Sequence, residues 1–516
     1  MGHTIARGAG VMVGVSLLGK VLATISQFLL AGLLLKTEFG YVALTIAVAD
    51  TVGIVQKIGL REMLMHRQAS LADWINPAMW AAAVGGLATL LLLLAVAPIM
   101  PWLFDSSREL IELTAVASVG SGVFGFILVL EAVLAIQLRF KTIGAIKTGE
   151  MFTRITLQIV LAFMGFGAMS IILPRTLTWI FHAISLIIIV KPKVLRRPEL
   201  NKWREALPDS TNLFMVISSQ VAVRQGDYFL LGLFAADAVV GAYYFAFNLS
   251  TQAMMLVAQS LTSVLASGLG KLKSDINRQV EAFLRAQELI SFVAVPMLVL
   301  QVISAGPLLT GLYGDKWELA VVPLQILSIA ACWTAVGWNC HAMFAATGRF
   351  RQQRIVVISG MVGFVVLICL CAWLGDSVTV AIGVLAFRAV FIPIQIAVAA
   401  YGRVAVALKS VVYMLGPLVV AAIASVPAVL AGAIVRDEIA PAIGESFRGS
   451  SLESFVGANG MRGAMIVQVL LMSAVVAVLY NLLARLMLRE TFSRFSSRMR
   501  AVLPARVLKL VPSWVF

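Results

Sequence analysis

Residues 221–234 read VAVRQGDYFLLGLF, apolar enough to cross a membrane yet carrying Arg224 and Asp227 three residues apart. Residues three or four apart share a helix face, so Gln220, Arg224 and Asp227 make one polar stripe. A central Arg or Asp in a membrane helix costs about 2.5–3.5 kcal/mol on insertion scales. The stripe therefore belongs against protein, water or an anion, not against lipid.

The rest of the chain sets that segment in a bilayer. It has 516 residues, 60% hydrophobic and only 13% charged, with a mean hydropathy of +0.96. That leaves too little polar surface for a soluble shell. Apolar runs of about 20 residues span the hydrocarbon as helices, and about fourteen are expected: 11–35, 39–60, 77–100, 110–137, 144–166, 168–190, 211–235, 241–269, 286–312, 319–346, 355–374, 378–401, 409–435 and 463–487. Arg7 alone precedes the first run and further spans follow, so that run reads as an uncleaved helix and not a signal peptide. The MGHTIA start lacks the Ser or Thr of a myristoylation signal. The fold class expected is an all-α integral membrane protein. Its parts are an N-terminal six-helix bundle over 1–190, a basic cytoplasmic linker at 191–210, a second six-helix bundle over 211–401, two additional helices within 402–488 and a basic amphipathic tail at 489–516.

A net charge of +15 would suit nucleic acid, but the cations alternate by loop, which is the signature of membrane orientation. With the N-terminus inside, cytoplasmic connections hold Arg61 and Arg67, Arg139 and Lys141, the run Lys191, Lys193, Arg196, Arg197, Lys202 and Arg204, then Lys271, Lys273, Arg278 and Arg285, and Arg349, Arg351 and Arg354. The opposite connections 101–109, 235–240 and 375–377 are short and nearly free of cations. Both termini are expected in the cytoplasm, with no nucleic-acid partner. Trp102, Trp317 and Trp373 fall at expected outer helix ends, where indole rings favour the headgroup zone.

Several motifs carry less than their letters suggest. GVSLLGKV at 14–21 has phosphate-loop spacing but Val21 where Ser or Thr should follow, inside an expected membrane helix. GSGVFG at 120–125 matches the dinucleotide glycine pattern with no strand before it; close helix packing explains those glycines better. Asn248-Leu249-Ser250 is a glycosylation sequon at bilayer depth, where no glycan is attached. Cys332, Cys340, Cys369 and Cys371 lack metal-site spacing and read as small buried apolar residues. His182 and His341 have no companions at metal or triad spacing and read as interior hydrogen-bonded histidines. The longest outer connection, about 436–462, has no His or Cys, so no platform for catalysis is apparent and neither an enzyme nor a metal site is expected.

The intramembrane polar residues are more informative. Lys147, Glu150 and Arg154 form a stripe, as do Asp50 with Lys57, Lys20 with Gln27, Asn248 with Gln252 and Gln259, and Arg388 with Gln395. Single ion pairs between packed helices would account for any one of these. Stripes on five or more helices, with cations in excess, point instead to a shared hydrated cavity. Internal repetition gives it an architecture: FLLAGLLLKTEFG at 28–40 lies over FLLGLFAADAVVG at 229–241, an offset of 201, and APIMPWLFD at 97–105 resembles GPLLTGLYGD at 306–315. Two halves of about 200 residues are implied.

With these features the chain resembles the multidrug/oligosaccharidyl-lipid/polysaccharide exporter superfamily, in particular its bacterial Wzx-type flippase and polysaccharide-export branch. The resemblance covers nearly the whole chain and rests on SQFLLAGLLLKTEFGYVAL at 26–44, GDYFLLGLFAADAVVGAYYFAFNLS at 226–250 and LYGDKWELAVVPLQILS at 312–328. It implies two bundles around a cavity that opens alternately inward and outward. The cargo it implies is an undecaprenyl-pyrophosphate-linked oligosaccharide repeat unit, turned over for capsule, exopolysaccharide or O-antigen assembly. Partners would then be the lipid-linked oligosaccharide, membrane lipids and the polysaccharide polymerase and chain-length machinery.

The cavity cations under this resemblance are Lys20, Lys57, Lys147, Arg154 and Arg224, with Arg388 added from its own stripe; Gln27, Gln220, Asn248, Gln252 and Gln259 supply neutral polar lining. Lys and Arg give charge-assisted hydrogen bonds to phosphate. Asp50, Glu131, Glu150 and Asp227 are candidates for binding a coupling proton or sodium, or for holding the cations in place, with Asp227 expected to orient Arg224. No cofactor is implied. A cation-coupled multidrug extruder shares the general design but fits an excess of cavity cations poorly, and a membrane glycan polymerase or ligase lacks its large outer loop here. The tail 489–516 alternates Arg489, Arg494, Arg498, Arg500, Arg506 and Lys509 with Phe492, Phe495, Leu503, Leu508 and Trp514, which predicts an interfacial segment on anionic headgroups, interrupted at Pro504 and Pro512.

Overall fold

The computed structural model describes residues 19, 22–56, 64, 70–192, 198–271, 275–439 and 453–502. Lys20 and Lys57 lie outside the described residues, as do Arg61, Arg67, Lys193, Arg196, Arg197, Lys273, most of the 436–462 connection and the tail beyond 502. The helices in chain order are α1 (Leu22–Leu33), then α2 (Lys36–Val52), α3 (Leu71–Val96), α4 (Glu109–Ile136), α5 (Phe140–Phe163), α6 (Met169–Val190), α7 (Leu200–Gly232) and α8 (Asp237–Lys271). There follow α9 (Ile276–Tyr313), α10 (Glu318–Gly337), α11 (Cys340–Thr347), α12 (Phe350–Trp373), α13 (Ser377–Ala399), α14 (Val404–Ile434), α15 (Glu453–Met487) and α16 (Arg489–Val502). Among the described residues there is no strand. Only a helix satisfies every backbone group within one lipid-crossing segment, so the composition and the all-α outcome have one cause.

Nine stretches among the described residues are long and apolar enough to cross a membrane, one of them, Ile276–Thr347, being the chain of helices α9 to α11. The protein is therefore multi-pass. Its outer surface carries apolar side chains left uncovered by protein, such as Leu87 and Leu91 on α3 and Val412 and Leu430 on α14. These face hydrocarbon. Local sequence signals set the helix ends. Glu38 accepts from the Leu35 backbone N–H at 2.6 Å and closes the first turn of α2, and Asp275 caps α9 by accepting from the Arg278 N–H at 3.1 Å.

The chain divides into two compact units, residues 1–245 with 354–380, and residues 246–353 with 381–516. In the first, α4 is the central helix, packing against α3, α6 and α2, while α5 lies on α6 and α7 on α2. In the second, α9 is central, packing against α10, α14 and α15; Phe283, Phe292, Ile290 and Leu298 bury their side chains there.

Glycine permits two backbone approaches that position the first unit. A Cβ on Gly86 would collide with the Gly122 carbonyl, so α3 and α4 cross backbone to backbone. The glycines of GSGVFG are thus packing residues. The second approach joins the two copies of the internal repeat. A Cβ on Gly40 would strike the Asp237 carbonyl, and one on Gly241 would strike the Lys36 carbonyl. Gly40 matches Gly241 and Lys36 matches Asp237 at the same offset of 201, so equivalent turns of α2 and α8 meet reciprocally. Phe39 packs edge-on to Phe245 beside this crossing.

Two expectations are corrected. Trp102 and Trp373 are 83% and 73% exposed, but Trp317 is fully buried. Its ring packs edge-on to Tyr313, so it belongs to the core because the 3₁₀ turn before α10 turns it inward. Cys332 and Cys340 are buried as expected, whereas Cys369 is exposed and Cys371 intermediate on α12.

Candidate functional site

The stripe Lys147, Glu150 and Arg154 on α5 meets charged residues of two neighbouring helices. The Lys147 ammonium lies 3.0 Å from Glu131 Oε2 of α4, and Glu150 Oε2 lies 2.7 Å from His182 Nδ1 of α6. His182 Nε2 points toward Glu131 Oε1 at 3.4 Å without hydrogen-bond geometry. One cluster of two carboxylates, an ammonium and an imidazole thus ties α4, α5 and α6 together. The imidazole is 3% exposed but the Lys147 side chain is 47% exposed. Arg154 stands one turn beyond Glu150, half-buried.

A second cluster centres on Asp50 of α2. Its Oδ1 accepts from Arg175 of α6 at 3.0 Å, and its Oδ2 accepts from Gln225 of α7 at 2.6 Å. The Arg175 guanidinium stacks over Trp179 at 4.5 Å, a cation–π contact that holds its orientation. Arg175 and Trp179 also line a crevice with Ile46, Ala49, Ser121 and Thr176. Close by in sequence, Gln56 donates to the Ser121 carbonyl at 2.5 Å and accepts from the Gly125 N–H at 2.9 Å, clamping the end of α2's extension onto α4.

Arg224 and Asp227 are not brought together. Asp227 is buried, accepting from Tyr243 Oη at 3.0 Å and from the Tyr228 N–H at 2.9 Å. Arg224 is exposed on α7, and among the described residues it forms no ion pair. The orienting role expected for Asp227 gives way to a tether between α7 and α8, because the carboxylate faces Tyr243 one helix away. Gln220 is exposed on the same stripe.

The remaining expected positions lie apart from these clusters in sequence. Gln27 donates to the Phe245 carbonyl at 3.5 Å. Asn248 and Gln252 are half-buried on α8 and Arg388 is half-buried on α13; the Gln259 side chain lies outside the described residues. In the second unit the polar side chains close on one another: Gln287 donates to the Val336 carbonyl and accepts from Ser410, and Tyr401 donates to Gln279. These satisfied bonds lock helices. Among the described residues, no group of three His, Cys, Asp or Glu side chains is arranged to hold a metal ion.

Arg175, Gln225 and His182 are the residues that sequence reading missed or set aside. The signal was present for two of them, since Arg175 and His182 are seven apart and so share a helix face. Gln225 had none, because it lies off the 220–224–227 stripe.

A family model described as "Polysaccharide biosynthesis protein" matches residues 29–323, more than half the chain. The teichuronic acid biosynthesis protein TuaB of Bacillus subtilis (strain 168) is 23% identical over 293 residues, covering 54% of this chain and 57% of TuaB. The match therefore spans less than two thirds of that relative. Among solved structures, the lipid II flippase MurJ in an inward closed conformation superposes with a TM-score of 0.67 at 12% identity, over 92% of this chain and 98% of MurJ. An inward-facing multidrug resistance MATE family transporter of the MOP superfamily gives 0.57 at 16% identity, over 78% and 99%. At such identities the likeness is one of fold.

Proposed function

This chain belongs to the polysaccharide biosynthesis protein family, and from that membership we propose that it is a flippase for undecaprenyl-pyrophosphate-linked oligosaccharide repeat units. It is a multi-pass membrane protein with the fold of transporters. On this reading it works by alternating access in a bacterial inner membrane, with both termini cytoplasmic, and feeds capsule, exopolysaccharide or O-antigen assembly. The polymerase and chain-length machinery then act on what it delivers.

The observation that carries the reading is Arg224. It is an exposed guanidinium eight residues before the end of α7, about 12 Å along the helix, and its nearest acid in sequence is engaged elsewhere. An uncompensated cation at that depth is tolerated where it meets water or an anion. A pyrophosphate offers a planar guanidinium paired acceptors for a bidentate contact, and Lys147 and Arg154 supply further positive charge. The polyprenyl tail stays in lipid. An inside-negative potential favours outward movement of an anion by about 2.3 kcal/mol per charge per 100 mV.

Deleting the gene tests this. Lipid-linked repeat units should accumulate on the cytoplasmic leaflet, with surface polymer lost. Unchanged lipid-linked pools together with lost drug resistance would reject the flippase and favour a multidrug extruder.

A further inference from the structure

Glu131 has two claimants. Its Oε2 is paired with Lys147 at 3.0 Å, and its Oε1 lies 3.4 Å from His182 Nε2. That nitrogen is a buried polar atom with no hydrogen-bond partner, on an imidazole 3% exposed, while Nδ1 is committed to Glu150 at 2.7 Å. A buried nitrogen left unbonded beside a carboxylate is costly, and the defect is removed when a protonated Nε2 turns into line with Glu131 Oε1, 3.4 Å away. We infer that Glu131 is shared between Lys147 and His182, so that an anion capturing Lys147 is accompanied by proton uptake on His182.

Charge counting supports the coupling. With a neutral imidazole, the carboxylates of Glu131 and Glu150 are balanced by Lys147 on one side and Arg154, one turn from Glu150, on the other. Among the described residues, the elements packed on α6 contribute Glu131 from α4 and Lys147, Glu150 and Arg154 from α5 to the cluster. On α6 itself Arg175 is spent on Asp50. Lys147 is the exposed member, so an arriving pyrophosphate reaches it first. Once Lys147 turns to the phosphate, Glu131 is left facing His182 alone. A proton from water then adds to Nε2, making an imidazolium between two carboxylates, and no bond in the cargo breaks. Release of the cargo returns Lys147 to Glu131 and the proton to water.

This inference rests on the anion-binding reading above and can fail separately from it. The test is histidine ring NMR on the full chain in lipid nanodiscs, with labelled histidine and farnesyl pyrophosphate as the anionic probe. The four histidines allow the His182 signal to be identified by its absence in His182→Asn. Phosphorus NMR of the probe reports binding independently. At neutral pH the His182 ring should shift from the neutral toward the imidazolium form as probe is added to the wild-type protein, and Lys147→Gln should lose that shift. Probe binding with no movement of the His182 signal overturns the coupling and leaves the flippase reading standing. A probe that does not bind overturns both. A shift that persists in Lys147→Gln overturns the sharing of Glu131.

Discussion

Arg224 and Asp227 look alike by sequence, two charges on one stripe, and the structure gives them opposite surroundings. Asp227 is a buried acceptor for Tyr243 and the Tyr228 N–H. Arg224 is exposed and, among the described residues, forms no ion pair. Their substitutions should therefore separate. Arg224→Ala should abolish or sharply reduce export at unchanged abundance in the membrane. Arg224→Lys should retain part of it, since charge survives but the bidentate fork does not. Asp227→Ala removes the buried hydrogen bond from Tyr243 and should lower stability by about 1–3 kcal/mol, read as a reduced melting temperature in detergent. If Arg224→Ala instead lowers abundance as Asp227→Ala does, Arg224 is structural. Side-chain type and spacing made both residues visible in the sequence. Which of them pairs inward was not visible, because it depends on Tyr243 from a helix whose register the sequence leaves open.

Helix crossings show the same division. The glycines of the internal repeat were legible as matching letters, and the structure makes their match physical, with Gly40 and Gly241 held against each other's helices at equivalent turns. A side chain at Gly241 has nowhere to go. Gly241→Val should cost at least the ~1–3 kcal/mol of ordinary overpacking and abolish export. Gly306→Ala is the contrast: its nearest neighbour would be Val321 Cγ1 at 3.9 Å, so thermal unfolding should be unchanged or slightly raised. Comparable losses from both changes would contradict the reciprocal crossing.

At the start of α7 the docking onto α3 is polar and pH-sensitive. Lys202 bonds Glu199 and the Asp73 carbonyl, Asn76 donates to Glu199, and Trp203 donates to the Pro77 carbonyl. The hydrogen bond from Lys202, then that from Asn76, holds the Glu199 carboxyl below its ordinary range. A carboxyl depressed in the folded state contributes stability above its unfolded value and loses it as pH falls through its folded value. Hydrogen exchange in the first turn of α7 should therefore quicken on acidification, and Glu199→Gln should remove that dependence. An acid response equal in both proteins would rule it out.

At the scale of the molecule, fold class was the most legible property. Repeated apolar runs with few charges leave a chain little alternative to membrane helices, whatever their packing. Partners of apolar faces were less legible. Trp317 and the tail were both read toward the membrane interface, yet Trp317 is buried, and in α16 Phe492 packs edge-on to Phe292 while Thr491 bonds Glu288 at 2.8 Å. An amphipathic pattern specifies an apolar neighbour without saying whether it is lipid or protein. The clusters around Asp50 and Glu131 were half legible for a related reason: stripes announce which face is polar, but Arg175 and His182 enter from α6, which reads as an apolar helix.

The central claim is that this fold moves a pyrophosphate-linked glycan across a bilayer. The most direct measurement places the purified protein in sealed vesicles with a fluorescent polyprenyl-pyrophosphate-linked oligosaccharide in one leaflet and follows its appearance in the other. Wild-type protein should transfer the glycan faster than protein-free vesicles, with an inside-negative potential accelerating outward transfer and Arg224→Ala abolishing it. Transfer no faster than in protein-free vesicles, by a protein that is folded and correctly inserted, would contradict the account.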